Sequence, residues 1–313
     1  MDIAELKQQL RGPMVPVLTH YRPDLSIDHA AIRENVQTLI SRGLVRGQGV
    51  LLAGGAGGDF PMLTLDERKA VARTIVEAAD GRTPVVVGAQ DTHVAYSIEL
   101  ARWTEELGAL GIQLSPTYYY PANEETTLRV FQAVHDATRR IILMAYNTHW
   151  EGYDMPLEVV ERLAELPRCR SLKWSTPVNS RYLRGTVQFA DRMAVVDNQG
   201  MYVMNHLLGG VGFITHLCTI WPENELSVWK LLEARDYAAA QHKITHITWK
   251  WNDIYGRLVE ASGAEGPAVK CALELCGRPG GPSRLPIRAL TADERAQLRS
   301  ALLEMGVPGV RHE

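Results

Sequence analysis

Short apolar runs alternate with longer amphipathic stretches along most of this chain. Runs at 14–19, 49–53, 84–88, 111–115, 141–146, 170–174, 193–196 and 211–215 have the length and composition of buried strands. Helical periodicity fills the intervals at 28–41, 65–79, 92–107, 124–137, 156–166, 179–189 and 201–208. Asp28 and Thr64 stand where helix caps belong, and Thr64-Leu65-Asp66-Glu67 has capping-box spacing. Strand and helix in strict alternation predict a parallel sheet, and eight such units predict closure into a (β/α)8 barrel rather than an open sheet. After the eighth strand the pattern turns helical only, at 223–234, 236–261, 266–276 and 292–304. The expected organisation is α/β: a barrel over 1–221 carrying the active site, then a C-terminal helical region over 222–313 packed on it.

Length agrees with this. About 150 residues per domain would divide 313 residues into two domains, but a barrel takes about 250 by itself. With 46% hydrophobic and 22% charged residues the chain has the composition of a globular protein with a large core. A formal charge of −3 without a Lys/Arg run gives no footprint for nucleic acid or an anionic membrane, so a small molecule is the expected ligand. No apolar run reaches the roughly 18 residues of a membrane span, and Met1-Asp2-Ile3-Ala4-Glu5 lacks the basic and apolar regions of a signal peptide; the expected location is cytoplasmic. Cys169, Cys218, Cys271 and Cys276 form no C-x-x-C pair and are expected to be reduced packing residues.

Of seven lysines, six (7, 69, 230, 243, 250, 270) sit in helical or terminal segments where a solvated ammonium is the expectation. Lys173 ends the apolar segment Cys169-Arg170-Ser171-Leu172-Lys173-Trp174. On a strand, Leu172 and Trp174 point one way while Ser171, Lys173 and Ser175 point the other. An amine in such a confined place loses hydration, its pKa falls, and it becomes a nucleophile for a carbonyl. The alternative is a strand-end lysine paired with a carboxylate. Tyr146-Asn147 ends the fifth strand, and a phenol near a lysine can shuttle protons during carbonyl addition and loss of water. The cluster Gly54-Gly55-Ala56-Gly57-Gly58-Asp59 follows the second strand and exposes backbone N–H groups suited to a carboxylate or phosphate, or it is simply a tight βα turn. It is not the dinucleotide fingerprint, which would need a glycine at Phe60. His242 and His246 have zinc-ligand spacing but no third ligand nearby, so no metal is expected.

Taken in order, Gly55-Ala56-Gly57-Gly58-Asp59 with Leu63-Thr64 and Glu67-Arg68, Pro116-Thr117-Tyr118-Tyr119-Tyr120-Pro121, Tyr146-Asn147, Leu172-Lys173 and Gly209-Gly210-Val211-Gly212-Phe213-Ile214 resemble the motifs of the dihydrodipicolinate synthase and N-acetylneuraminate lyase family. The likeness runs over about residues 13 to 280. It implies a (β/α)8 barrel with a C-terminal helical region, usually a homotetramer, acting without cofactor or metal on a 2-oxo acid such as pyruvate. It implies that Lys173 forms a Schiff base with the C2 carbonyl, that Tyr146 is the acid/base phenol, and that Tyr118 continues the relay, in many relatives from across a subunit interface. Gly55, Ala56, Gly57, Asn198, Gln199, Ile214 and Glu151 fall at substrate-binding positions.

Departures from the family pattern narrow the substrate. Ala56 and Gly57 replace paired threonines, so the relay loses its middle member unless water or another side chain takes its place. Thr148-His149-Trp150-Glu151 follows Tyr146-Asn147, with Glu151 where the synthase branch has an arginine for a second carboxylate; a negative residue there opposes a dicarboxylate. Asn198 and Gln199 stand where the sialic acid branch has acidic residues for sugar hydroxyls. The expected activity is a Schiff-base aldolase joining or cleaving a 2-oxo acid and an aldehyde. A dehydratase of a 2-oxo-3-deoxy sugar acid using the same lysine, or a non-catalytic 2-oxo acid binder on the same scaffold, are the alternatives.

Overall fold

The local signals set most of the elements. Thr64 accepts the amide of Glu67 at 3.3 Å while the Glu67 carboxylate accepts the amide of Thr64 at 2.9 Å, completing the capping box of helix Leu65–Ala79. Asp28 accepts the amides of Ala30 and Ala31 and starts helix His29–Ser41. The computed structural model describes residues 1–311. Its strands are β1 Gly12–Pro16, β2 Val50–Ala53, β3 Val85–Gly88, β4 Gly111–Leu114, β5 Ile142–Tyr146, β6 Cys169–Trp174, β7 Ala194–Asp197 and β8 Gly212–Ile214. They form a closed barrel of parallel strands in chain order. Helices intervene between strands, and further helices follow β8: Leu217–Ile220, Pro222–Glu233, Tyr237–Lys243, Trp249–Ser262, Gly266–Leu275 and Ala292–Met305.

Three differences from the pattern in the sequence go beyond a residue or two at an element's end. β1 begins earlier than residue 14, because Gly12 adopts φ +93° and a Cβ there would lie 2.5 Å from the Gln48 carbonyl oxygen; only glycine lets the chain enter the barrel at this point. A short helix, Ile3–Gln9, precedes it, capped by Asp2; seven residues with one buried leucine give too little periodicity to detect. The long helix expected at 236–261 contains a π-helical stretch, Ile244–Thr248, in its interior.

The chain forms two compact units. One comprises Met1–Met14, Val45–Leu52 and Thr83–Ile214. Its core gathers Leu6, Leu10 and Val211 with Met14, Val50, Leu52, Val86, Ile142, Met144, Ala194 and Val196, the last eight at alternate strand positions facing inward. The other comprises Val15–Leu44, Ala53–Arg82 and Thr215 onward. Leu217, Ile220, Trp251, Ile254, Leu258, Val269, Leu273, Leu298 and Leu302 build its core. Each buried side chain of this size contributes about 1.5–3 kcal/mol. All four cysteines are free. Among the described residues no helix is long and apolar enough to cross a membrane.

Candidate active site

β5 and β6 pair in parallel with Tyr146 opposite Lys173 and Met144 opposite Ser171. Alternation turns Leu172 and Trp174 to the other face, where the Trp174 indole donates to the Tyr182 carbonyl at 3.1 Å. Lys173 is 5% exposed, and its Nζ lies 3.9 Å from the centroid of the Tyr146 ring. The amine and the phenol-bearing ring are therefore in direct contact. Trp150 packs edge-on to the same ring at 5.8 Å and to His149 at 4.8 Å, on the one-turn 3-10 helix His149–Glu151. Burial pushes the Glu151 carboxyl above its ordinary range, while a hydrogen bond with Thr148 and the charge of Lys173 pull the other way. An acid that feels the lysine thus sits one turn beyond Tyr146.

Asn147 fixes these strand ends to each other. Its side chain is fully buried; Nδ2 donates to Asp154 Oδ1 and to the Ser175 carbonyl, both at 2.7 Å, and Oδ1 accepts the Met155 amide at 2.9 Å. Asp154 also accepts from the Thr176 hydroxyl and pairs with Arg181. Gln199 lies in this network: Oε1 accepts the Thr176 amide at 2.8 Å and Nε2 donates to Asn179 at 2.9 Å, so both ends of its amide are engaged by protein. Asn198 donates its amide to the Trp174 carbonyl and is half-buried. The Ile214 carbonyl accepts from the Tyr202 hydroxyl at 3.2 Å. Tyr118 lines a hollow of about 540 Å³ with Thr92, His93, Thr117, Tyr119 and Tyr120. Tyr119 takes φ +82° and projects into solvent at 87% exposure.

Two buried carboxylates, one in each unit, carried no signal in the sequence. Asp197 ends β7, fully buried, and accepts from the Tyr182 hydroxyl and the amides of Gln199 and Met201. Burial raises its pKa to about 6 against those hydrogen bonds. In the second unit Glu225, also fully buried, accepts from Thr248 and Asn224.

The glycine turn belongs to that second unit. Ala56–Gly58 form one 3-10 turn closed by Asp59 in the left-handed region (φ +54°). A Cβ on Gly58 would lie 2.8 Å from the Val17 carbonyl, and the Thr19 hydroxyl donates to the Gly58 carbonyl at 2.6 Å. A Cβ on Gly57 would lie 2.7 Å from His216 Cε1, 3.2 Å from its Nδ1 and 3.3 Å from Glu265 Oε2. The small residues at 57 and 58 thus admit neighbouring protein atoms, and at 57 the neighbour is an imidazole. Its Nε2 is 3.3 Å from Glu265 Oε2.

Lys270 corrects a reading made from the sequence. It was expected to be a solvated helical lysine, yet its side chain is 2% exposed and its Nζ donates to Asp59 Oδ2 at 2.9 Å, the Pro282 carbonyl at 3.1 Å and Ser283 Oγ at 3.4 Å. The Tyr21 ring lies 4.6 Å beneath it. Helix Gly266–Leu275 is apolar on nearly every side, so any residue at 270 is interior; the ammonium survives there only because Asp59 arrives from 211 positions away. Burial pushes the Asp59 carboxyl up and the Lys270 ammonium down, and their mutual attraction opposes both. His242 and His246 stack at 4.0 Å, and a ring nitrogen of His246 bonds the His242 carbonyl oxygen. Among the described residues no three His, Cys, Asp or Glu side chains converge as a metal site.

The model of the dihydrodipicolinate synthetase family matches residues 9–305. The chain belongs to that family. It is thereby a lyase of the class I aldolase type, a family whose chemistry runs through a lysine Schiff base. It is 32% identical over 270 residues to 4-hydroxy-tetrahydrodipicolinate synthase 1 of Halalkalibacterium halodurans, covering 84% of this chain and 88% of that one. Among solved structures it resembles the chloride-inhibited dihydrodipicolinate synthase of Acinetobacter baumannii complexed with pyruvate, with a TM-score of 0.86, 25% identity, and 95% and 99% of the two chains covered. It also resembles YagE, a prophage protein of the same family from E. coli K12 in complex with pyruvate, with a TM-score of 0.84, 26% identity, and 95% and 99% covered.

Proposed function

We propose that this family member joins or cleaves a 2-oxo acid, such as pyruvate, and an aldehyde, through a Schiff base on Lys173. The observation that carries the reading is the buried amine of Lys173 set 3.9 Å over the Tyr146 ring at the end of β6. A buried amine is poorly hydrated and its free form attacks a carbonyl. Nζ adds to C2, the phenol of Tyr146 delivers a proton to the departing hydroxyl, and water leaves to give an iminium. The iminium withdraws electrons from C3, so a C3–C4 bond can break to an enamine and an aldehyde, or form in reverse. Protonation at C3 and hydrolysis then release the 2-oxo acid and the amine.

Glu151 supports a monocarboxylate partnered by a neutral aldehyde. It is an acid that interacts with Lys173, placed where the synthase branch carries an arginine for a second carboxylate. Family likeness supports a homotetramer, with Tyr118 on a turn that exposes aromatic surface.

Borohydride reduction in the presence of a panel of 2-oxo acids tests the assignment. The expected result is a stable adduct mapped by mass spectrometry to Lys173 and absent from Lys173→Met, with the aldehyde identified from the cleavage products. No adduct at Lys173 with any 2-oxo acid sinks the reading.

A further inference from the structure

Gly88, Gln113, Met144, Ser171 and Ala194 stand side by side on β3 to β7, at one height of the barrel. Met144 and Ala194 belong to the inward-facing core, and residues paired across parallel strands share a face, so Gln113 points into the barrel as well. Tyr146 and Lys173 are two residues further along the same face of β5 and β6, one layer nearer the C-terminal strand ends. A strand spacing of about 4.8 Å and a rise of about 3.3 Å per residue put the Gln113 and Tyr146 backbones about 8 Å apart, a gap that their long side chains span. Lys173 leans this way, since its Nζ lies over the Tyr146 ring on β5, the strand next to Gln113. Gln113 itself is 1% exposed. Its Nε2 donates to Gln90 Oε1 at 3.4 Å, while among the described residues its Oε1 has no hydrogen-bond partner. The neighbours at that height are small, with no side chain at Gly88 and short ones at Ser171 and Ala194. Buried carbonyl oxygens nearly always find a donor, and here the protein supplies none.

We infer that Gln113 is a specificity-determining residue whose Oε1 accepts a hydrogen bond from a hydroxyl on C3 of the bound 2-oxo acid. The inference rests on the Schiff-base reading and narrows its substrate to 3-hydroxy-2-oxo acids. In the iminium, C2 carries the Lys173 nitrogen, the C1 carboxylate and C3. A carboxylate has no proton to offer and is repelled by a carbonyl oxygen, so C3 is the group that turns to Gln113. Substrates enter a barrel at the C-terminal strand ends, and Gln113 lies on the far side of the Lys173 layer. The chain beyond C4 therefore runs back to the mouth, and only the C3 substituent reaches inward. A hydroxyl there satisfies Oε1; the methyl group of pyruvate displaces water from it and returns no hydrogen bond. The electron balance of the aldol step is unchanged. In condensation C3 gives up one proton, the enamine pair attacks the aldehyde carbon, the aldehyde oxygen takes up a proton, and hydrolysis frees Lys173. The C3 hydroxyl is retained in the product, and Gln113 transfers no proton.

The test reads the borohydride-trapped adduct at Lys173 in the full-length protein, titrated separately with pyruvate and with 3-hydroxypyruvate. The wild type is expected to half-saturate with 3-hydroxypyruvate at a roughly ten- to a hundredfold lower concentration, the range that one buried hydrogen bond supplies. Gln113→Met keeps the length of the side chain and removes the acceptor. Its half-saturation is expected to rise for 3-hydroxypyruvate and to fall for pyruvate, which no longer strands a buried oxygen. Gln113→Asn keeps the amide but draws it back by one methylene, and is expected to lose the preference too, which preserves the test if the methionine variant does not fold. A wild type without the preference overturns the assignment, as does a preference equal in the wild type and the variants. Equal weakening of both acids overturns it as well, since that marks a structural role or a retained water. No adduct with either acid in the wild type sinks the Schiff-base reading, on which this one stands.

Discussion

Replacing Lys270 by methionine keeps most of the volume of the side chain and removes its charge. In the folded protein Asp59 is left fully enclosed without its counter-ion; its Oδ1 already has no hydrogen-bond partner, and Oδ2 loses the bond at 2.9 Å. At that separation and an effective dielectric constant near 20, the attraction that disappears is about 6 kcal/mol. Desolvating the two ions opposes a similar amount, so the intact pair contributes little net stability, but a stranded partner costs about 3–5 kcal/mol. The stranded carboxylate can escape by taking a proton. A buried carboxyl with no counter-ion has a folded pKa above its unfolded value, so the loss is smallest below the unfolded pKa and grows as pH rises through the folded one. Urea unfolding of wild type and Lys270→Met, followed by tryptophan fluorescence at several pH values, reads this as a lowered midpoint with an unchanged slope. Asp59→Asn combined with Lys270→Met should recover much of the loss, because no charge is then buried. A cost below about 1 kcal/mol for Lys270→Met, or a double variant as unstable as the single one, would refute the account of a buried, mutually dependent pair.

Two further outcomes follow from the structure. Tyr146→Phe keeps the ring beneath Lys173 and deletes only the hydroxyl, so turnover should fall roughly a hundred- to a thousandfold while the Lys173 adduct still forms, more slowly; wild-type turnover in this variant would remove Tyr146 from the acid/base role. His20 is buried against the Gly280 carbonyl at 2.9 Å, and its pKa is lowered to about 4, first by burial and further by Lys270. Unfolded, it takes a proton near 6.5, so the unfolded state binds more protons between these values: the stability is fully present above pH 6.5 and is lost as pH falls to 4, by about 3 kcal/mol. Urea midpoints at pH 7 and pH 4 should differ less in His20→Gln than in wild type, and equal differences would remove His20 as the cause.

The barrel was legible because its information is local. Each strand is an apolar run bounded by polar turns, and parallel pairing in chain order is what alternation with helices permits. The contact between Lys173 and Tyr146 follows from the same rule, since register sets two strand-end residues side by side. Elements whose identity depends on remote partners were not legible. Lys270 reads as a helical surface lysine until Asp59 is placed beside it, and His216 is a single histidine after a strand until Gly57 and Glu265 surround it. Asp197 carried no signal because the hydroxyl that holds it lies on the preceding helix, at Tyr182. The π-helical stretch at Ile244–Thr248 was not legible because it is defined by backbone hydrogen bonds spanning five residues, and these have no signature in side-chain type.

The Asp59–Lys270 bond also has a consequence for how the protein is made. A ribosome releases the glycine turn early, when the lysine that pairs with Asp59 is still 211 codons from being read. Every strand of the barrel is synthesised before Lys270, and a nascent chain halted short of it carries a carboxylate whose enclosure costs free energy. The charge pairing that encloses this loop is therefore complete only once helix Gly266–Leu275 has been made.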